Sequence, residues 1–100
     1  MVKHLIIWKL KESYTEEESK KAVTEIKAGL ESLAGKIPGM IDITVHDCPL
    51  PTSNREAMLE ANFVDFESLR GYVTHPEHVA VAKGIVKPHV EIRSCFDYEL

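Results

Sequence analysis

Val2-Lys3-His4-Leu5-Ile6-Ile7-Trp8-Lys9-Leu10-Lys11 is the stretch on which the fold turns. It is rich in β-branched residues and carries an aromatic one, and the side chains of a strand alternate between two faces. Val2, His4, Ile6, Trp8 and Leu10 share one face; Lys3, Leu5, Ile7, Lys9 and Lys11 share the other. The second face is apolar in the middle and charged at its ends. A strand apolar on both faces belongs to a sheet covered on both sides. In a chain of 100 residues, one of those covers is expected to be another subunit.

The segments that follow set out the rest of the sheet. Thr15 opens a helix with a capping box to Glu18, and Glu16, Glu17 and Glu18 suit the positive helix end. Ala22, Val23, Ile26, Leu30 and Leu33 form its apolar stripe, which predicts a helix over about residues 15–34. Gly35 ends it and Pro38-Gly39 turns the chain. Met40 to Asp47 reads as a second strand with Ile41, Ile43 and Val45 on one face. Cys48 to Asn54 is a loop with two prolines, and Ala57 to Val64 is a third strand carrying Ala57, Leu59, Ala61 and Phe63 inward. Asp65 caps a short helix with Phe66, Leu69, Tyr72 and Val73. Thr74 or His75 caps the next, with Pro76 in its first turn and Val79, Val81, Ala82, Ile85 and Val86 apolar. His89 to Leu100 is the last strand, with Val90, Ile92, Ser94, Phe96 and Tyr98 on one face.

The order β-α-β-β-α(α)-β predicts an α+β, ferredoxin-like subunit over residues 1–100: a four-stranded antiparallel sheet with helices on one face. Leu5 and Ile7 then lie on a bare sheet face, and an apolar patch of that kind marks an interface. A C2 homodimer with two such sheets packed about 10 Å apart, approximating a barrel, buries both patches.

Composition narrows the partners. Formal net charge is −4 without a basic run, which speaks against nucleic acid and anionic membrane. No apolar run approaches the roughly 18 residues that cross a bilayer. Neither a signal peptide nor a glycine-rich phosphate loop is read, and a cytoplasmic protein is expected. Cys48 and Cys95 are expected as free thiols in a reducing compartment, with a single disulfide as the alternative.

The densest chemistry is Tyr72-Val73-Thr74-His75-Pro76-Glu77-His78, at a break between two helices. His78 falls in a first helical turn, where the positive dipole end disfavours imidazolium and leaves a neutral base. Tyr72 offers a phenol donor, and His4 could orient or polarise a carbonyl from the first strand. Each residue also has a purely structural reading: His4 bonding a backbone carbonyl, Tyr72 as core with its hydroxyl at the rim, His75 as a cap. No metal is expected, because the proline makes His75 and His78 a poor chelate and no second ligand pair has a recognisable spacing. Nothing near Cys48 would lower its pKa for nucleophilic work.

These segments together carry a family resemblance. The opening strand, Ile37-Pro38-Gly39-Met40, His75-Pro76-Glu77-His78, Lys87-Pro88 and Asp97-Tyr98-Glu99 resemble, in order and over essentially the whole chain, the stress-responsive dimeric α/β-barrel (Dabb) domain family. The resemblance implies a ferredoxin-like subunit, a face-to-face dimer and a pocket between sheet and helices. At its reactive positions the chain is similar to the plant polyketide (olivetolic acid) cyclases of that family, which close a linear polyketide by aldol condensation without a cofactor. On that likeness His4, Tyr72 and His78 are the catalytic candidates. Ile6, Trp8, Val23, Ile26, Leu69, Val73 and Val79 are expected to line the pocket. Trp8 shares a face with His4, where an indole takes up pocket volume, whereas Ala22 and Val23 are small and leave room. Three functions compete: binding a small apolar or aromatic (phenolic) molecule, a cyclase-like proton transfer with His78 as base, and a structural or stress-protective dimer without a ligand.

Overall fold

The computed structural model describes residues 1–100. The elements are β1 (Val2–Leu10), α1 (Glu16–Glu31), β2 (Met40–His46), β3 (Ala57–Phe63), α2 (Phe66–Thr74), α3 (Pro76–Val81) and β4 (Val90–Glu99). They build one antiparallel sheet in the order β2-β3-β1-β4, the ferredoxin-like arrangement the element order predicts. The opening strand is central, between β3 and β4. Its inner face is buried under the helices, and its other face lies on the side of the sheet that no helix covers.

Local chemistry places the ends of the helices. Thr15 and Glu18 form the reciprocal capping box, and Asp65 accepts the Ser68 N–H at 2.8 Å. His75, rather than Thr74, caps α3: its Nδ1 accepts the Glu77 N–H at 3.2 Å, with Pro76 in the first turn. Pro88 has no N–H for the Gly84 carbonyl, and the chain beyond α3 widens into a π-turn over Ala82–Val86 before a 3-10 turn at Lys87–His89. The first helix stops at Glu31, short of position 34, and its backbone runs on through turns to Gly35 at φ 79°.

The core lies between the sheet and the helices. It joins Val2, Ile6, Trp8 and Leu10 of β1 to Ala57, Leu59, Ala61 and Phe63 of β3, under Ala22, Val23, Ile26 and Leu30 of α1 and Leu69 and Tyr72 of α2. Three apolar residues depart from the expected pattern. A register shift between Met40 and Asp42 puts an irregularity at Ile41, which leaves the inward face and stands 52 % exposed. Phe66 and Val73 are also more than half exposed, because the nine-residue α2 turns only Leu69 and Tyr72 inward.

The opposite sheet face carries no helix. Leu5 faces Phe96, Lys3 faces Tyr98 and Ile7 faces Ser94 across the β1–β4 ladder, with Met58 opposite Ile7 on the β3 side. Ile7, Ile92, Phe96 and Tyr98 are exposed there. Charged and amide pairs flank this apolar strip: Lys3 and His46 both reach Glu60, and Asn62 donates to Asp42.

Candidate functional site

The three residues that sequence reasoning nominates converge. His4 sits inward on β1 and is 4 % exposed; Tyr72, inward on α2, is 1 % exposed. His78, half-buried in the first turns of α3, lays its ring over Tyr72 at a centroid distance of 4.0 Å and 32°. The His4 ring meets Tyr72 edge-on at 5.9 Å, and Phe63 backs both rings. The helix break at His75 makes this meeting geometrically open to both sides of the junction. Tyr72 ends one helix and His78 begins the next.

Hydrogen bonds assign the ring nitrogens. His78 Nδ1 lies 3.3 Å from the Val73 carbonyl, which can only accept, so Nδ1 carries the proton and the neutral ring keeps its lone pair on Nε2. Burial pushes the His78 pKa below its ordinary value, against the pull of that carbonyl. Desolvation is the largest cause of the lowering, and it favours the neutral base. His4 Nδ1 donates to the Asp97 carboxylate, its direct partner across the β1–β4 ladder. Its Nε2 is an acceptor while the ring is neutral and a donor once it is protonated. Burial also drives the Tyr72 phenol well up, which keeps it a neutral donor. That hydroxyl has no hydrogen-bond partner in the fold.

A cavity of about 50 Å³ opens among these groups, lined by His4, Ile6, Trp8, Leu30, Leu59, Tyr72, His78, Ala82, Val86 and Arg93. Trp8 forms one of its walls. Of the expected lining, Ile6 and Trp8 are in place. Val23, Ile26, Leu69, Val73 and Val79 are not: Ile26 and Leu69 are packed core, Val73 turns outward, and Val23 faces a different cleft. That cleft, about 500 Å³ between α1 and the β2–β3 loop, and another of about 380 Å³ beside Ile7 and Met58 are larger. Both are open and lined by residues of mixed charge, with His46, Arg55 and Glu56 in the smaller and Lys20, Asp47, Arg55 and Glu56 in the larger.

Asp97, Arg93 and Cys95 escaped sequence reasoning. Alternation along β4 puts them opposite Phe96 and Tyr98, hence on the His4 face once β1 pairs with β4. His4, Cys95 and Asp97 bring one nitrogen, one sulfur and one oxygen within 4.8 Å, donor types a zinc ion accepts. In the fold His4 and Asp97 hydrogen-bond each other, and the Cys95 thiol lies 3.6 Å from both Asp97 oxygens. Burial, with the Asp97 charge beside it, raises the Cys95 thiol pKa and makes it a poor nucleophile. Cys48 and Cys95 are both free.

A four-stranded ferredoxin-like sheet with one bare face and a small histidine–tyrosine pocket under its helices defines the class. Residues 2–100 match the Stress responsive A/B Barrel Domain, and the chain belongs to this Dabb family. Among solved structures it is similar to a dimeric protein of unknown function and ferredoxin-like fold from Bacteroides fragilis (33 % identity, TM-score 0.89, 99 % of this chain and 95 % of that one). It shares its fold with a Dabb family protein from Mesorhizobium loti (22 %, TM-score 0.73, 99 % and 95 %). It also shares it with the hydroxynitrile lyase of Passiflora edulis (18 %, TM-score 0.76, 97 % and 90 %). No curated protein matches the chain. No helix is long and apolar enough to cross a membrane.

Proposed function

We propose that this chain is a homodimeric small-molecule-binding domain whose pocket takes the polar head of a small apolar or aromatic ligand. The observation that carries the reading is the buried, unpartnered Tyr72 hydroxyl beside a cavity. An unsatisfied buried hydroxyl costs about 1–3 kcal/mol, and a ligand oxygen at that position would relieve it. A cavity of about 50 Å³ fits a carbonyl-sized group, since one water occupies about 30 Å³ of liquid. The rest of the ligand must lie toward the rim.

The pocket also supports cofactor-independent proton transfer, because His78 offers a neutral Nε2 where Tyr72 offers a donor. In that reading Tyr72 donates to a carbonyl oxygen, and His78 removes the proton from the adjacent carbon as charge moves onto the oxygen. An intramolecular aldol closure of a polyketide begins with these two steps; the enolate carbon then bonds a second carbonyl carbon of the same molecule, and the proton on His78 passes to the alkoxide that forms.

The test is Tyr72→Phe. It should stabilise the free protein by about 1 kcal/mol, because the orphaned hydroxyl is removed without loss of packing. It should also weaken acetophenone, an aromatic ketone, by about 5- to 10-fold in a histidine-detected NMR titration. Destabilisation of the free protein, or unchanged acetophenone binding, overturns the reading. His78→Ala separates enzyme from binder: turnover is lost while affinity stays within a few-fold.

A further inference from the structure

We propose that the pocket selects a carboxylate, with Arg93 as the residue that recognises it; this rests on the reading of the His4–Tyr72–His78 cavity as a ligand site. The polar part of the cavity lining is His4, Tyr72, His78 and Arg93, with no aspartate or glutamate among the lining residues. It thus combines a cation, a phenol donor without a partner and two imidazoles, on walls that are otherwise apolar.

Arg93 makes no ion pair, although the chain carries 16 acidic residues against 12 basic ones. In a chain with net charge −4, a guanidinium whose side-chain hydrogen bond goes to the Cys95 thiol and not to a carboxylate, beside a hollow with no acid among its lining residues, is a local reversal of sign. β4 positions it: Arg93 is the ladder partner of Trp8, so it stands on the His4 face, at the edge of the sheet, exposed at the cavity's rim. Its charge reaches inward: at Tyr72 it opposes the burial that drives the phenol up, and at His78 it adds, after burial and His4, to the lowering.

The match in chemistry is direct. A guanidinium presents parallel N–H donors that fit the two oxygens of a carboxylate, and an anion turned to Tyr72 would accept a hydrogen bond from its hydroxyl. The cavity volume of about 50 Å³ suits a carboxylate and excludes a ring, so an aromatic or aliphatic acid would enter head first. Asp97 lies on the same face of β4, but its carboxylate engages His4 Nδ1 and the Cys95 thiol and forms no ion pair with Arg93.

The experiment compares benzoate with benzamide, its neutral counterpart, by NMR titration read on the His4 and His78 rings, with acetophenone alongside. Benzoate should bind at least 10-fold tighter than benzamide. Arg93→Gln should cost benzoate at least 10-fold and leave benzamide within 2-fold. Arg93→Lys, which keeps the charge but loses the fork, should fall between. Arg93 is exposed, so neither variant threatens the fold. Equal binding of benzoate and benzamide, or an equal loss of both in Arg93→Gln, overturns the proposal. Acetophenone binding with no benzoate preference sinks the carboxylate alone. Failure of all three ligands sinks the pocket with it. Inorganic phosphate competing as well as benzoate, with the same Arg93 dependence, would replace a carboxylate selector by a general anion site and so also refute it.

Discussion

His78 was legible in the sequence as a reactive residue, but the cause of its neutrality was not. A first-turn position suggested the helix dipole; the fold adds burial, with the ring stacked on Tyr72, as the largest cause of the lowered pKa. The distinction has a measurable sign. The folded-state pKa lies below the ordinary value of 6.5, so between the two the unfolded chain binds the proton that the folded chain refuses. Stability from this group is complete above about pH 6.5 and is lost as pH falls from there toward the folded pKa. A side-chain NMR titration should place the His78 midpoint below 6.5. Denaturant melts at pH 7.5 and 5.5 should show a smaller drop for His78→Gln than for the unaltered protein. A difference between the two proteins cancels the other titrating groups. An equal drop in both would mean His78 is solvated.

At the scale of the element, alternation and capping carried most of the fold. β1 and β3 place every inward residue as read, because their pairing is regular and period two survives along them. β2 breaks the rule at Ile41, where the ladder slips beside a turn that no alternation count registers. Asp97 and Arg93 were invisible for a related reason: their importance depends on a β1–β4 register across more than eighty residues. The turn before β2 offers a sharp test. Gly39 has φ 79°, and a Cβ there would stand 2.0 Å from Ser68 Oγ, whereas Gly35 has the same φ with nothing within 4 Å. Left-handed backbone at a non-glycine costs about 1–3 kcal/mol, and a domain of this size loses about 4–8 °C per kcal/mol. Gly35→Ala should therefore melt several degrees lower. Gly39→Ala should fall clearly further, on the order of 10 °C or more, because Ser68 at the start of α2 must also move. Equal melting temperatures in thermal denaturation would show that the Gly39–Ser68 approach carries no strain.

For the molecule as a whole, the opening strand already implied a second cover, since Leu5 and Ile7 cannot both be core of a two-layer subunit. The fold adds what covers the strip on either side: Phe96 beside Leu5, Tyr98 beside Lys3, and Met58 beside Ile7, flanked by the Glu60 and Asp42 pairs. A patch that is apolar along its centre and paired at its margins suits a copy of itself, because a two-fold axis sets apolar centre on apolar centre. Phe96 is the critical contact by this reasoning. It is 67 % exposed on the subunit, so replacing it leaves the subunit core untouched. Phe96→Glu would place two carboxylates, related by the axis, in a desolvated interface, where burying an unpaired charge is strongly unfavourable. Sedimentation should give a dimer for the unaltered chain and a folded monomer, with unchanged far-UV circular dichroism, for Phe96→Glu. A variant that remains dimeric would place the interface elsewhere. An unaltered chain that sediments as a monomer would leave the bare face of the sheet in water.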